Sequence, residues 1–148
     1  MNKTKRMKVV QNYTKDCSCK AAKVVANSRK ALDIQQERLE QLANYREEYW
    51  RNLAAGGSAT MNAARLQDFR LFLSRLDKAI EQQRNMVDDA NQCYCRDNAE
   101  WNRAMVRERS IDCVVEKMEL RDRKHQDKQE QKSMDEMGQK IRIRIFEQ

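Results

Sequence analysis

The stretch Leu66–Met118, LQDFRLFLSRLDKAIEQQRNMVDDANQCYCRDNAEWNRAMVRERSIDCVVEKM, decides how this chain folds. Taken in alternating steps of three and four, it visits Leu66, Phe69, Leu73, Leu76, Ile80, Gln83, Val87, Ala90, Tyr94, Asp97, Trp101, Ala104, Glu108, Ile111, Val115 and Met118. Of these, only Gln83, Asp97 and Glu108 are strongly polar. A 3-4 alternation of apolar residues held this long is a heptad seam, the pattern of a coiled-coil helix with a left-handed supercoil. Such a seam has to be covered by another helix.

The first fifty residues supply one. A helical pattern begins with Val10, Tyr13, Cys17, Ala21 and Val24, slips in register near Ser28, and resumes with Leu32, Gln35, Leu39, Leu42, Arg46, Tyr49 and Leu53. The expected first helix runs from about Met7 to Ala54, roughly 70 Å at 1.5 Å per residue, with frayed residues before it. The strong break follows in Ala54-Ala55-Gly56-Gly57-Ser58. Glycine there suits a left-handed C-cap, and Ser58, Thr60 or Asn62 suits the next N-cap. The turn is therefore set at 55–60. So short a connection favours antiparallel neighbours.

The fold expected is all-α, one antiparallel two-helix coiled-coil hairpin with the second helix longer than the first. The second helix is expected over about 61–137, roughly 115 Å. Pairing outward from Gly57 sets Val10 near Trp101 to Arg107 and leaves the rest of the second helix unpartnered. Residues 119–132, ELRDRKHQDKQEQK, have no apolar residue after Leu120 and read as a solvated overhang, a frayed end or a segment ordered by a partner. After Gly138, Ile141-Arg142-Ile143-Arg144-Ile145-Phe146 alternates with a period of two, and 138–148 is expected to be a flexible tail.

Composition narrows the functional classes. The 148 residues contain no proline, so nothing forces a helix to kink. Charged residues make up 36% and aromatics 6%, a mix suited to solvated helices rather than a thick core. The net charge of +7 permits nucleic acid, anionic lipid or an acidic protein as partner, but acidic residues interrupt most basic stretches. No apolar run approaches a membrane span, and Lys3, Lys5, Arg6 and Lys8 precede no apolar leader segment. A cytosolic setting with reduced thiols is expected.

No catalytic constellation is visible: there is no glycine-rich phosphate loop, no histidine pair and no nucleophile–base set. Cys17 and Cys19 form one C-x-C, and Cys93 and Cys95 another. Residues i and i+2 on a helix point apart, so one helix cannot easily offer both thiols to one tetrahedral zinc. No metal and no cofactor are expected. His125, the one histidine, sits in a charged stretch with no cysteine near it.

The informative excess is apolar. A two-helix seam covers only the a and d positions. Near the bend, Tyr45 and Trp50 accompany Leu42 and Tyr49, while Leu71, Phe72 and Ala79 flank Leu76. Leu42, Tyr45 and Tyr49 share one face by spacing, as do Phe72, Leu76 and Ala79. A stripe wider than its one partner helix either thickens the seam or docks a third body.

These residues carry a resemblance. Leu39-x-x-Leu42-x-x-Tyr45-x-x-x-Tyr49-x-x-x-Leu53, the short turn with Ser58, Phe72-x-x-x-Leu76-x-Lys78-Ala79-Ile80-x-Gln82, and Gln131-Lys132-Ser133-Met134-Asp135-Glu136-Met137 stand in the order and spacing found in the FliJ family of flagellar export proteins. With matching helix lengths, the chain resembles that family over nearly its whole length.

The resemblance implies a non-enzymatic coiled coil similar to the central stalk of rotary ATPases. Such a stalk inserts in the pore of the hexameric flagellar export ATPase, contacts the cytoplasmic domain of the export-gate membrane protein, and escorts export chaperones. It also implies a cytoplasmic protein, peripheral to the inner membrane at the flagellar base through its protein partners, serving flagellum assembly and motility. The family's gate-binding surface falls on Leu42, Tyr45, Tyr49, Phe72, Leu76 and Ala79. Arg38 and Gln83 belong to it too, where the family often carries other polar residues. By analogy the open end enters the ATPase ring, with Lys3, Lys5, Arg6, Lys8, Arg121, Arg123 and Lys124 as candidate contacts. The resemblance is silent on the C-x-C pairs and the Arg-Ile alternation. Competing readings are the stalk of a virulence type III secretion system, a basic coiled coil on nucleic acid, and a structural homodimer.

Overall fold

The structure, a computed structural model, describes residues 2–55 and 63–148. Most of the turn expected at 55–60, with its diglycine, and the expected caps Ser58, Thr60 and Asn62 lie outside them. Two helices account for the described chain: α1, Lys3–Ala55, and the longer α2, Ala63–Phe146. Contacts divide the chain into two units, Cys19–Asn102 and Met1–Ser18 with Arg103–Gln148.

In the first unit the helices run antiparallel. Gln35 is bonded to Gln83, Arg46 to Asp77 at 2.6 Å, and Ser28 to Asp97. Phe69, Leu73, Leu76 and Ile80 of α2 are buried with Val25 and Leu32 of α1. Leu32 is 2% exposed, the most enclosed large side chain described. In the second unit the pairing is again antiparallel. The Thr4 hydroxyl donates to Asp122 at 2.6 Å, the Lys8 ammonium lies 3.1 Å from Glu119, and the Gln11 amide donates to Asp112 at 2.8 Å.

On α2 the sequence reading holds closely. Every seam position from Phe69 to Met118 is buried or half-buried, and Leu66 alone of the sixteen is exposed. On α1 it needs correction. There is no slip near Ser28. Half-buried and buried positions step in threes and fours through Thr4, Met7, Gln11, Thr14, Ser18, Ala21, Val25, Ser28, Leu32, Gln35, Leu39, Leu42, Arg46, Tyr49 and Leu53. Val10, Tyr13 and Val24, the apolar residues that suggested another register, lie off this seam; Tyr13 is 69% and Val24 48% exposed. The true seam before Val25 is largely polar, and apolar counting passes over it.

Both ends extend further than expected. Asn2 caps α1: its side-chain oxygen accepts the Thr4 N–H at 3.2 Å, and its carbonyl accepts the Arg6 N–H at 3.2 Å, so the helix starts at Lys3 rather than near Met7. Pairing along α2 reaches Asp122 rather than ending near Arg107, with Gln11 opposite Asp112. The expected tail at 138–148 is helical to Phe146, where Glu147 closes a last bond to the Ile143 carbonyl at 3.1 Å. One helical glycine costs only about 1 kcal/mol relative to alanine, and no proline follows to stop the helix. From Leu120 onward every residue is exposed.

Leu32→Ala is expected to lower unfolding stability by about 2–5 kcal/mol, whereas Val24→Ala changes it by less than about 0.5 kcal/mol. Urea titrations followed by circular dichroism check both, and a large loss at Val24 would restore the slipped register. A Cβ at Gly138 meets nothing within 4 Å, so Gly138→Ala is expected to strengthen the surrounding helix by about 0.5–1 kcal/mol in amide exchange.

Candidate functional site

The apolar excess near the end of α1 and the start of α2 resolves into an aromatic cluster. Tyr49 lies between Phe69, near-parallel at 5.0 Å between ring centroids, and Phe72, tilted at 4.5 Å. Trp50 meets Phe69 edge-on at 5.6 Å, and Tyr45 meets Phe72 edge-on at 6.2 Å. Edge-to-face and offset contacts at these separations suit the ring quadrupoles and add about 0.5–1.5 kcal/mol per pair to the area buried. Part of the excess therefore thickens the seam: Phe69 is buried, while Tyr49 and Phe72 are half-buried.

Leu71 and Trp50 stay in water, 53% and 44% exposed, and so does a flank around Tyr45. Tyr45 is 52% exposed and Arg38 is exposed; both stand one residue before seam positions Leu39 and Arg46. With Gln41, Leu42 and Gln83 they line a shallow concavity. The eight residues assigned to gate binding thus separate by burial. Tyr45 and Arg38 present themselves, Leu42, Tyr49, Phe72 and Ala79 are half-buried, and Leu76 and Gln83 are seam residues at 8% exposure. The Gln83 amide donates to the Gln35 carbonyl at 2.9 Å and to the Gln35 side-chain oxygen at 2.8 Å. Its amide nitrogen is engaged within the seam, so it shapes the floor of the concavity. A second shallow surface, lined by Ala43, Arg46, Trp50, Asp77, Ile80 and Arg84 among others, borders Trp50.

The other candidate surface is basic. Lys3, Lys5, Arg6 and Lys8 are exposed around the buried Thr4, and Arg121, Arg123 and Lys124 are exposed around Asp122. The Thr4–Asp122 bond brings the two runs to one level. Lys8 is engaged by Glu119, an exposed pair worth about 0–1 kcal/mol. Lys117, Leu120, Arg121, Lys124, His125 and Lys128 line one open surface of α2, so His125 keeps basic company.

The five cysteines are free, with Cys17 half-buried and the others exposed. Hydrogen bonding to Cys17, one turn on, raises the Tyr13 hydroxyl above its ordinary value, and nearby Arg107 opposes the shift. Among the described residues no three His, Cys, Asp or Glu side chains gather in a way that could hold a metal ion. Sequence reasoning missed the polar contacts across the helices, Thr4 with Asp122, Gln11 with Asp112 and Ser28 with Asp97. Extending the 3-4 stepping backward from Leu32 would have found Thr4, Gln11 and Ser28.

The cluster separates structural rings from presented ones. Phe69→Ala is expected to cost about 3–5 kcal/mol, and Tyr45→Ala less than about 1 kcal/mol. Thermal melts of the two variants check this, and equal losses would mean that Tyr45 belongs to the core.

Comparison with known proteins fits this architecture. The family model described as "Flagellar FliJ protein" matches residues 3–144. The flagellar FliJ protein of Escherichia coli (strain K12) is 26% identical over 124 residues, covering 84% of each chain. No solved structure matches. The match from Lys3 to Arg144 takes in nearly the whole of both helices, and the chain belongs to the flagellar FliJ family.

Proposed function

We propose that this FliJ-family chain, a component of flagellar protein export, works as a stalk that links the export ATPase to the export gate. The stalk catalyses no reaction itself. Its basic run at Lys3–Lys8, together with Arg121, Arg123 and Lys124, enters the pore of the hexameric ATPase. The flank beside the connection between the helices, with Tyr45 and Arg38 over Leu42, Tyr49, Phe72 and Ala79, meets the cytoplasmic domain of the gate protein. Leu76 and Gln83 support that flank from within the seam. Export chaperones are further partners, and the protein works in the cytoplasm, held at the inner membrane beneath the flagellum by its partners.

One observation carries the reading: Tyr45, at the edge of the rings that close the seam, remains 52% exposed and lines a concavity with Arg38. An exposed tyrosine rimmed by arginine is a common anchor of protein interfaces. Paired helices, each hydrogen-bonded internally, supply the stiffness that transmitting a displacement needs. The interspersed acidic residues favour protein partners over nucleic acid, which calls for continuous cationic surface.

Mixing the protein with its cognate ATPase is expected to raise hexamer content and ATP turnover; no change in either would contradict the stalk role. In pull-downs from a flagellated lysate, Tyr45→Ala is expected to lose the gate protein and keep the ATPase. The variant combining Lys5→Glu, Arg6→Glu and Arg123→Glu is expected to do the reverse. Loss of both partners from either variant would refute the division of surfaces.

A further inference from the structure

Along the chain, basic and acidic residues interrupt one another; across the paired helices of the unit formed by Met1–Ser18 and Arg103–Gln148 they sort onto different sides. On α1, Lys3, Val10 and Cys17 stand immediately before the seam residues Thr4, Gln11 and Ser18. On α2, Arg107, Val114 and Arg121 stand immediately before the seam residues Glu108, Val115 and Asp122. Antiparallel pairing sets these two rows side by side, with Lys3 level with Arg121, Val10 with Val114, and Cys17 with Arg107. Two contacts fix which rows meet. Tyr13 bonds to Cys17 with Arg107 nearby, and on the opposite flank Lys8 lies 3.1 Å from Glu119. Just outside the first rows come Arg6 and Tyr13 on α1, and Arg103, Ser110 and Lys117 on α2. Lys3, Arg6, Arg103, Arg107, Lys117 and Arg121 thus share one flank, all exposed. None of them is ion-paired among the described residues. No carboxylate stands in these rows: Asp112, Glu116 and Glu119 fall on the opposite flank, Glu108 and Asp122 in the seam, and Asp16 on the outer side of α1.

Two paired cylinders leave a groove along each side of their seam, and on this flank the groove has an apolar floor. Val10 and Val114 stand level there, 41% and 38% exposed, with Tyr13 beside them at 69%. Cations rim the floor on both helices. The levels from Lys3 to Cys17 span about 21 Å, or about four helical turns. A flat bilayer or a rod of duplex phosphates meets the rims and leaves the valines uncovered. A third helix fits the groove, with apolar residues on Val10 and Val114 and carboxylates along its edges toward the arginines. A second copy offering the same flank would set arginine against arginine. The seam beneath also favours a covering helix. Val115 is the one buried apolar residue described in this unit, so a third helix adds apolar burial where the pair has little.

We propose that this flank docks an acidic amphipathic helix of a partner protein, completing a local three-helix bundle. The flank shares Lys3, Arg6 and Arg121 with the contact assigned to the ATPase pore but does not depend on that assignment, since Val10, Val114, Arg103 and Arg107 belong to no contact assigned above. The probe is a designed helical peptide of about 18 residues, with leucines spaced three and four apart and glutamates along both edges of that stripe. It is added to the full chain and followed by fluorescence anisotropy. Saturable binding is expected, at least about fivefold weaker for a peptide of the same composition in scrambled order. Arg103→Gln with Arg107→Gln, and separately Val10→Asn with Val114→Asn, should each weaken binding by about fivefold. Lys15→Gln with Arg109→Gln removes the same charge from the opposite flank and should leave binding unchanged. Circular dichroism checks that each variant stays helical. Absence of binding, equal binding of the scrambled peptide, or equal weakening by both charge pairs would overturn the proposal. So would an unchanged affinity in the valine variant, which would make the flank a bare charged surface suited to lipid or nucleic acid. That variant keeps every cation, so ATPase stimulation by it reports separately on the stalk reading.

Discussion

Everything in this molecule depends on one constraint: a narrow seam between two helices in which the buried amide of Gln83 and the buried carboxylate of Asp97 each meet a partner on α1. Gln83 donates twice to Gln35, and the Ser28 hydroxyl donates to Asp97, a carboxylate that is almost fully enclosed. No buried side-chain nitrogen or oxygen among the described residues lacks a partner. Such layers add little net stability, since each hydrogen bond contributes about 0.5–1.5 kcal/mol against water. Their effect is on register. Moving one helix by a heptad keeps leucine against leucine but strands an amide or a carboxylate, at about 1–3 kcal/mol for each neutral group.

The two units use this constraint differently. In Cys19–Asn102 the apolar layers Val25, Leu32, Phe69, Leu73, Leu76 and Ile80 dominate, and stacked rings close the seam. In the other unit, α1 contributes Thr4, Met7, Gln11, Thr14 and Ser18, and Val115 is the one buried apolar residue among those described. Less apolar burial there means less hydrophobic stabilisation and more reliance on directed contacts such as Thr4 to Asp122. The basic surface thus stands on a seam held by polar contacts, and the aromatic flank on one packed with rings. A surface that must hold its geometry while docking benefits from the second kind of support.

Much of this was legible before any coordinates. The α2 seam could be read residue by residue because its apolar periodicity spans many heptads. The aromatic flank could be read because two helices cannot cover so wide a stripe. The α1 seam before Val25 resisted for a physical reason. Hydropathy scores Val10, Tyr13 and Val24 as core, whereas coiled-coil geometry continues from Leu32 through Ser28 to Thr4 whatever the polarity. The end of α2 resisted because isoleucine and arginine in alternation satisfy a strand period, while the helix that already reaches Met137 has no proline to end it. The resemblance puts Gln83 on a docking surface; its bonds to Gln35 depend on which α1 residue lies opposite, which the pattern of α2 alone does not specify.

The most direct test of the unslipped seam is chemical cross-linking of introduced cysteine pairs in a background with the five native cysteines replaced by serine. Under a short thiol-specific cross-linker, Gln11→Cys with Asp112→Cys is predicted to link rapidly within one chain, and Val10→Cys with Ala104→Cys to remain unlinked. Rapid linkage of the second pair and none of the first would contradict the account, placing α1 in the slipped register and its polar residues in water.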